Sequence, residues 1–203
     1  MKALILAPHC DDGEMGCGGT IQVLLEKNHD VHYIAFSKPE TERGTKIERE
    51  TSAATKILGI PPENVRILDY PRRHMPTARQ AILDQLIQIK IEEKPDVIFV
   101  PSRLDTHQDH TTICQESIRA FRNKTILGYE EPWNNPTFPT QYFVPLTKQQ
   151  VKTKLKALQC YKSQMHRPTF NLKVVESIMR VRGAQIEQPY AEAFEAIKII
   201  NLL

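Results

Sequence analysis

Two short segments of this chain carry residue types whose spacing suits chemistry. The first is His9-Cys10-Asp11-Asp12-Gly13-Glu14, and the second is His107-Gln108-Asp109-His110. Adjacent side chains on extended backbone alternate in direction, so Asp11 and Asp12 cannot face one point in the same way. One of the pair can bind a cation while its neighbour faces a bound water. His107 and His110 stand three apart at the start of a predicted helix and share a face there. Two imidazoles and one carboxylate suit a catalytic Zn2+ with an open position, or Fe2+. Such a cation lowers the pKa of a bound water from about 15.7 toward about 7. A nearby carboxylate then accepts the proton, and a histidine across the site polarises a carbonyl or protonates a leaving amine. Each segment alone also has a bland reading. A strand-end His or Asp is ordinarily solvated, and Asp109 is in position to cap a helix.

The elements that must position these segments favour the metal. Lys2 to Ala7 reads as a buried strand, Val31 to Phe36 as a second, Val65 to Leu68 as a third and Val97 to Val100 as a fourth. Helical spacing runs through Thr20 to Lys27, Ile47 to Leu58 and Ala78 to Glu93, with Gly59 and the prolines after it as a stop signal. This alternation predicts a parallel sheet with right-handed crossovers, in which chemistry collects beyond the carboxyl ends of the strands. The two histidine segments begin just after the first and fourth strands.

Further along, a helix is expected from His110 to about Arg122, then a strand-like Thr125 to Tyr129, then helices over Lys148 to Tyr161 and Leu172 to Val181. Gly183 interrupts the chain before a last segment, Tyr190 to Leu203. The loop Glu130 to Thr140 holds three prolines and Trp133, which makes it either a substrate wall or a surface loop folded onto the core. The run Gly16 to Gly19 does not satisfy G-x-G-x-x-G, so a dinucleotide fingerprint is rejected; close packing of the following helix on the first strand explains it better. With no repeat or linker in 203 residues, one α/β domain over 1–203 is expected.

Composition narrows the class. A net charge of +3 spread among interspersed acidic residues does not make a nucleic-acid stripe. The clusters at Arg72-Arg73, Arg119 to Lys124 and Arg180 to Arg182 are read as solvated faces rather than polyanion contacts. The opening MKALILAPH is too short for a signal h-region, and no stretch approaches the ~18 apolar residues of a membrane span. Cysteines 10, 17, 114 and 160 lack C-x-x-C spacing and read as free thiols, which together with the missing export signal predicts a cytoplasmic protein.

The motifs resemble those of the LmbE-like, or PIG-L, family of metal-dependent N-deacetylases. Pro8-His9-Cys10-Asp11-Asp12-Gly13-Glu14 followed by Gly16-Cys17-Gly18-Gly19-Thr20 is similar to that family's (A/P)HPDD(x)E and GCGGT, and His107 to His110 matches its HxDH. Arg49-Glu50 with Ala54 and Leu58-Gly59, Ser163-Gln164, and Arg182-Gly183 through Glu195 are supporting likenesses. The resemblance implies a Rossmann-like fold, a mostly parallel sheet with helices on both faces. It implies His9, Asp12 and His110 as metal ligands, Asp11 as general base, and His107, protonated, as electrophile and general acid with Asp109 beside it as a tuning carboxylate. Arg49 would contact substrate, a surface salt bridge being the equal alternative, and Trp133 joins it as a candidate substrate residue. The implied reaction is hydrolysis of an N-acetyl amino-sugar conjugate of the N-acetylglucosamine type to acetate and amine. The implied substrate is a small molecule from thiol-cofactor, glycan or antibiotic metabolism, without nucleic acid or membrane, and the family habit is assembly into trimers or hexamers. Zn2+ is the expected cofactor, with Fe2+ as the alternative.

Two departures stand out: Cys10 replaces the family proline, and Glu14 comes one place late. A buried inert thiol is expected at Cys10 over an oxidation-sensitive one near the metal. Two rival classes remain. An Fe2+ oxygenase with the same ligand set conflicts with the alternating α/β pattern, because such sites usually sit in double-stranded β folds. A non-catalytic sugar- or nucleotide-binding module has no need of Asp11 and His107.

Overall fold

Alternation along the central strands sorts their side chains into two cores. Ala3, Ile5 and Ala7, with Val31, Tyr33, Ala35, Val97 and Phe99, bury one face of the sheet. Leu4 and Leu6, with Ile34, Phe36, Ile98 and Val100, bury the other. Near-continuous apolar strands of this kind need helices on both sides. The computed structural model describes residues 1–38 and 42–200, the side chains of 42–45 excepted. In chain order the elements are β1 (Lys2–His9), α1 (Asp12–Glu26), β2 (Asp30–Ser37), α2 (Glu42–Leu58), β3 (Val65–Ile67), α3 (Arg79–Glu93), β4 (Val97–Pro101), α4 (Gln108–Ala120), β5 (Thr125–Tyr129), β6 (Tyr142–Pro145), α5 (Lys148–Leu158), α6 (Leu172–Ala184) and β7 (Ala191–Lys198). Helices α3 and α4 cover the second core. Helices α1, α2, α5 and α6 cover the first.

The sheet order is β3-β2-β1-β4-β5-β7-β6. Strands β3 to β5 of that order are mutually parallel, whereas β7 runs antiparallel to both β5 and β6. Chain order reverses between β1 and β4, which pair directly through Ala3–Val97, Leu4–Ile98 and Ile5–Phe99. That junction is a topological switch point, where the loops leaving two neighbouring strands diverge and open a crevice. His9 ends β1, and the segment from Ser102 to His110 leaves β4.

Two helices differ from the sequence expectation, and strands β6 and β7 fall where it assigned no element. Helix α1 starts at Asp12, not near Thr20, so the glycine run is helical. Tertiary packing overrides the poor helix propensity of glycine here: a Cβ on Gly16 would stand 2.3 Å from the Tyr129 ring, and one on Gly19 would stand 2.4 Å from Leu146. Helix α6 likewise runs through Gly183, where a Cβ would meet the backbone of Gln188 and Tyr190. Strand β7, with the sequence AEAFEAIK, reads locally as helix-forming alanines and glutamates, but pairing on both sides imposes the strand. Its inward carboxylates are satisfied. Glu192 accepts from the amides of Gly19 and Thr20 and from Lys154 Nζ at 2.6–2.8 Å, and Glu195 accepts from Ser102 Oγ and the Arg103 amide at 2.8 Å. Among the described residues no helix is long and apolar enough to cross a membrane.

Candidate active site

The carboxyl end of β1 delivers His9, and the first turn of α1, two residues on, delivers Asp12. His107 occupies the N-cap of α4, its Nδ1 accepting the Asp109 amide at 3.1 Å, and His110 lies in that helix's first turn. The fold brings three atoms into an equilateral triangle. His9 Nδ1 to Asp12 Oδ2, His110 Nε2 to Asp12 Oδ2, and His9 Nδ1 to His110 Nε2 are each 3.2 Å. All three side chains are buried.

The far nitrogen of each imidazole meets a carboxylate. His9 Nε2 lies 2.9 Å from Asp109 Oδ2, and His110 Nδ1 lies 2.8 Å from Asp105 Oδ2. Each acid therefore takes the ring proton on the outside and leaves a lone pair facing inward. Asp109 is itself held by the amides of Arg73 at 2.7 Å and Met75 at 3.2 Å. Asp105 also accepts the His107 amide at 2.8 Å.

Two nitrogen lone pairs and a carboxylate oxygen, converging out of water, call for a positive charge between them. Burial pulls the His110 imidazole pKa down, but Asp12 and Asp105 outweigh it and hold it well above the usual value. His9 is raised in the same way by Asp12 and Asp109, against its burial. Burial would raise Asp12, yet His110 and His9 hold its carboxyl well below the ordinary range. A divalent cation answers the same demand. Three ligands about 2.0 Å from a tetrahedral ion stand about 3.3 Å apart, so the 3.2 Å triangle fits. One ring nitrogen of His107 also comes within 4.8 Å of those of His9 and His110. The spacing around Asp12 is tighter, and His107 Nδ1 is already engaged, so the Asp12 set fits an ion better.

His107 is half-buried and packs edge-on to His9, with ring centroids 4.9 Å apart. Burial and then the neighbouring His110 and His9 lower its pKa to about 4. Nδ1 accepts an amide, which puts the proton of a neutral ring on Nε2, and the lowered pKa favours that neutral form over the protonated one the resemblance implies. The structure also moves Asp109: its carboxylate bonds to His9, and only its backbone touches His107. The reason is local geometry: His107 stands before the helix on extended backbone, whereas Asp109 lies in its first turn, so the two side chains leave the chain in different directions. Asp11, at the N-cap of α1, makes no side-chain cap. Its pKa is raised, first by burial and then by Asp12.

Neither Arg49 nor Trp133 is among the residues lining the cleft at Asp11. Ile47 lines the cleft beside Asp11, and Arg49, roughly 200° around α2 from it, is exposed. Trp133 is 37% exposed rather than folded onto the core. Its loop is nonetheless tied to the site, because the Thr106 amide and hydroxyl both donate to the Asn134 carbonyl at 3.1 and 2.9 Å. Glu50 and Ser163, noted separately in the sequence, join each other: the Ser163 amide and hydroxyl donate to the Glu50 carboxylate at 3.0 and 2.5 Å. The Cys10 thiol is buried, donates to the Ser37 carbonyl at 3.3 Å and is pushed up to about 12 by burial, which makes it inert.

Sequence reasoning passed over Asp105, gave Glu14 no role beyond its place in the motif, and read Arg72 as part of a solvated face. Asp105 carries a weak signal, an acid five residues before a ligand-type histidine in a strand-end loop. Glu14 holds the site's floor. Its two oxygens take the hydroxyls of Tyr33 at 2.5 Å and Tyr161 at 2.6 Å, and both hydroxyls also reach the Cys10 carbonyl. No local pattern foretells this meeting of α1, β2 and the segment after α5.

The fold and cluster define a Rossmann-like α/β protein with a buried His/Asp cluster at its switch point whose spacing fits a cation. Residues 4–121 match the family model described as PIG-L: GlcNAc-PI de-N-acetylase, and the chain belongs to that family. It is 28% identical to the uncharacterized deacetylase YaiS of Escherichia coli K12 over 166 residues, covering 79% of this chain and 90% of that protein. It is 23% identical to the diacetylchitobiose deacetylase of Thermococcus kodakarensis, covering 99% of this chain and 85% of that enzyme. The same fold occurs in GalB, the 4-carboxy-2-hydroxymuconate hydratase of Pseudomonas putida KT2440, with a TM-score of 0.79 at 18% identity, covering 100% of this chain and 99% of GalB.

Proposed function

We propose that this protein is a divalent-metal-dependent N-deacetylase acting on a small N-acetylglucosamine-type conjugate. The observation that carries the reading is the 3.2 Å triangle of His9, Asp12 and His110, with each imidazole backed by its own carboxylate. The GalB likeness shows that this fold alone does not choose a chemistry. Family membership and deacetylase relatives favour amide hydrolysis. A Zn2+ or Fe2+ ion held by those three residues would supply an acidified water and a Lewis-acid contact for the amide oxygen.

The chain's own groups divide the remaining work. Asp11, beside the ligand set and free of a cap bond, accepts the proton of the attacking water. Its raised pKa lets it hold that proton and pass it to the departing nitrogen. Neutral His107 presents Nε2–H to the carbonyl oxygen and stabilises the oxyanion as a hydrogen-bond donor, commonly the largest single contribution to such catalysis. Asp105 and Asp109 hold the ligand tautomers.

The test is acetate release from a panel of N-acetylhexosamine conjugates by purified protein loaded with Zn2+ or Fe2+, against a chelated control, with metal content measured on the same sample. Turnover that depends on metal and falls by orders of magnitude in His110→Ala supports the reading. Acetate release that survives complete chelation overturns it.

A further inference from the structure

Arg72, in the loop between β3 and α3, is half-buried and lines the same narrow cleft as Asp11, Ser37, Ile47 and Gln164. Its Nε is sealed from solvent and has no hydrogen-bond partner among the described residues. Folded proteins leave few buried donors unpaired, and those they leave commonly await a ligand, water or ion. A second guanidinium adds to the field of this wall. Arg167 donates from Nη1 to Gln164 Oε1 at 2.9 Å, and its charge acts on Asp11. Gln164 in turn donates to Ser163 Oγ, so this wall of the cleft is braced through Glu50 to α2.

A sugar hydroxyl would satisfy the Arg72 N–H, but Asp11 is the one carboxylate among the described residues lining the cleft and already feels Arg167, so a second positive charge would stay without a partner. The Nε/Nη edge of a guanidinium is a fixed fork that matches two oxygens of one anion. The acetamide oxygen has its own donor in His107, so the anion must sit elsewhere on the substrate. We propose that Arg72 is a specificity residue that takes a carboxylate or phosphate on the part of the substrate remote from the acetamide. This deepens the deacetylase reading and rests on it: the conjugate is anionic, and its anion docks on the cleft wall that Arg72 shares with Ser37, Ile47 and Gln164.

The experiment compares wild type, Arg72→Ala and Arg72→Lys, all metal-loaded, on three probes. These are N-acetylglucosamine 1-phosphate, carboxymethyl N-acetylglucosaminide and neutral methyl N-acetylglucosaminide. Wild type should favour at least one anionic probe in kcat/KM, and the better of the two identifies phosphate or carboxylate as the recognised group. Arg72→Ala should collapse the anionic-to-neutral ratio at least tenfold, mainly through KM, and Arg72→Lys should recover part of it. A wild-type ratio near one, or an equal fall on every probe in Arg72→Ala, overturns the proposal. Calorimetric binding of the same probes to both proteins separates this from failure of the deacetylase reading. With no turnover at all, binding of an anionic probe that weakens at least tenfold in Arg72→Ala still supports the proposal, and equal affinities overturn it. Melting temperature and metal content serve as folding controls.

Discussion

Replacing Asp105 by Asn tests whether the carboxylates behind the histidines set the metal site. Asp105 offers two acceptor oxygens to two close donors, His110 Nδ1–H at 2.8 Å and the His107 amide at 2.8 Å, with Asn134 Nδ2 farther off at 3.5 Å. Asparagine keeps the shape but has only one oxygen. If that oxygen keeps the amide, the new NH2 faces His110 Nδ1 and forces the ring proton onto Nε2, the atom 3.2 Å from Asp12 and His9. The ligand lone pair is then lost unless the ring deprotonates or the side chain flips and abandons His107. Loss of such a backing carboxylate typically weakens metal affinity about 10- to 100-fold, which is about 1.4 to 2.7 kcal/mol. The assay is a competitive Zn2+ titration against a chromophoric chelator, with circular dichroism to verify the fold. Asp109→Asn should act in the same direction through His9. A folded Asp105→Asn protein that binds Zn2+ as tightly as wild type would refute the reasoning.

Asp11→Asn should lower kcat by about 10²- to 10⁴-fold, the usual worth of a general base, with Zn2+ affinity nearly unchanged; a parallel loss of metal would make Asp11 a ligand instead. Burial, opposed by the Tyr161 and Tyr33 hydroxyls, raises the Glu14 pKa from its ordinary 4.5 to about 8, so the folded protein favours the protonated acid. The stability this confers is fully present below about pH 4.5 and is lost as pH rises through about 8, a change of about 5 kcal/mol across that window. Because His9 and His110 also lose stability as pH rises, urea unfolding at pH 5 and pH 8.5 should show a larger loss in wild type than in Glu14→Gln, and parallel profiles would contradict it. Gly16→Ala gains about 1 kcal/mol of helix propensity but drives a methyl to 2.3 Å from the fully buried Tyr129 ring. The overpacking cost, typically about 1 to 3 kcal/mol, should lower the melting temperature, and an unchanged or higher value would count against the packing argument.

Much of the site was legible before folding, because it is local in the chain. His9 and Asp12 come from one strand-to-helix turn, and His107 and His110 from one helix start, so motif and spacing exposed both halves. Strand periodicity then predicted the sheet that joins them. The second layer was not legible. Asp105 and Asp109 are ordinary loop and helix acids until β1 and β4 lie side by side, when one backs His110 and the other, across 100 residues, backs His9.

The sequence by itself determined the candidate ligand types, the order of the first five strands and helices along the chain, and the two-faced apolar strands that demand helices on both sides. Period-2 burial and short motifs are properties of neighbours in the chain, and they survive without a third dimension. Only the tertiary structure decided that the glycine run is helical, that β7 is a strand, that the His107 pKa is pushed down, and that Arg72 rather than Arg49 lines the cleft. Each of those outcomes depends on a group distant in sequence: the Tyr129 ring against Gly16, β5 and β6 beside β7, two imidazoles beside His107, and Ile47 turned inward on α2. Desolvation and steric contact arise only once the chain has closed around them.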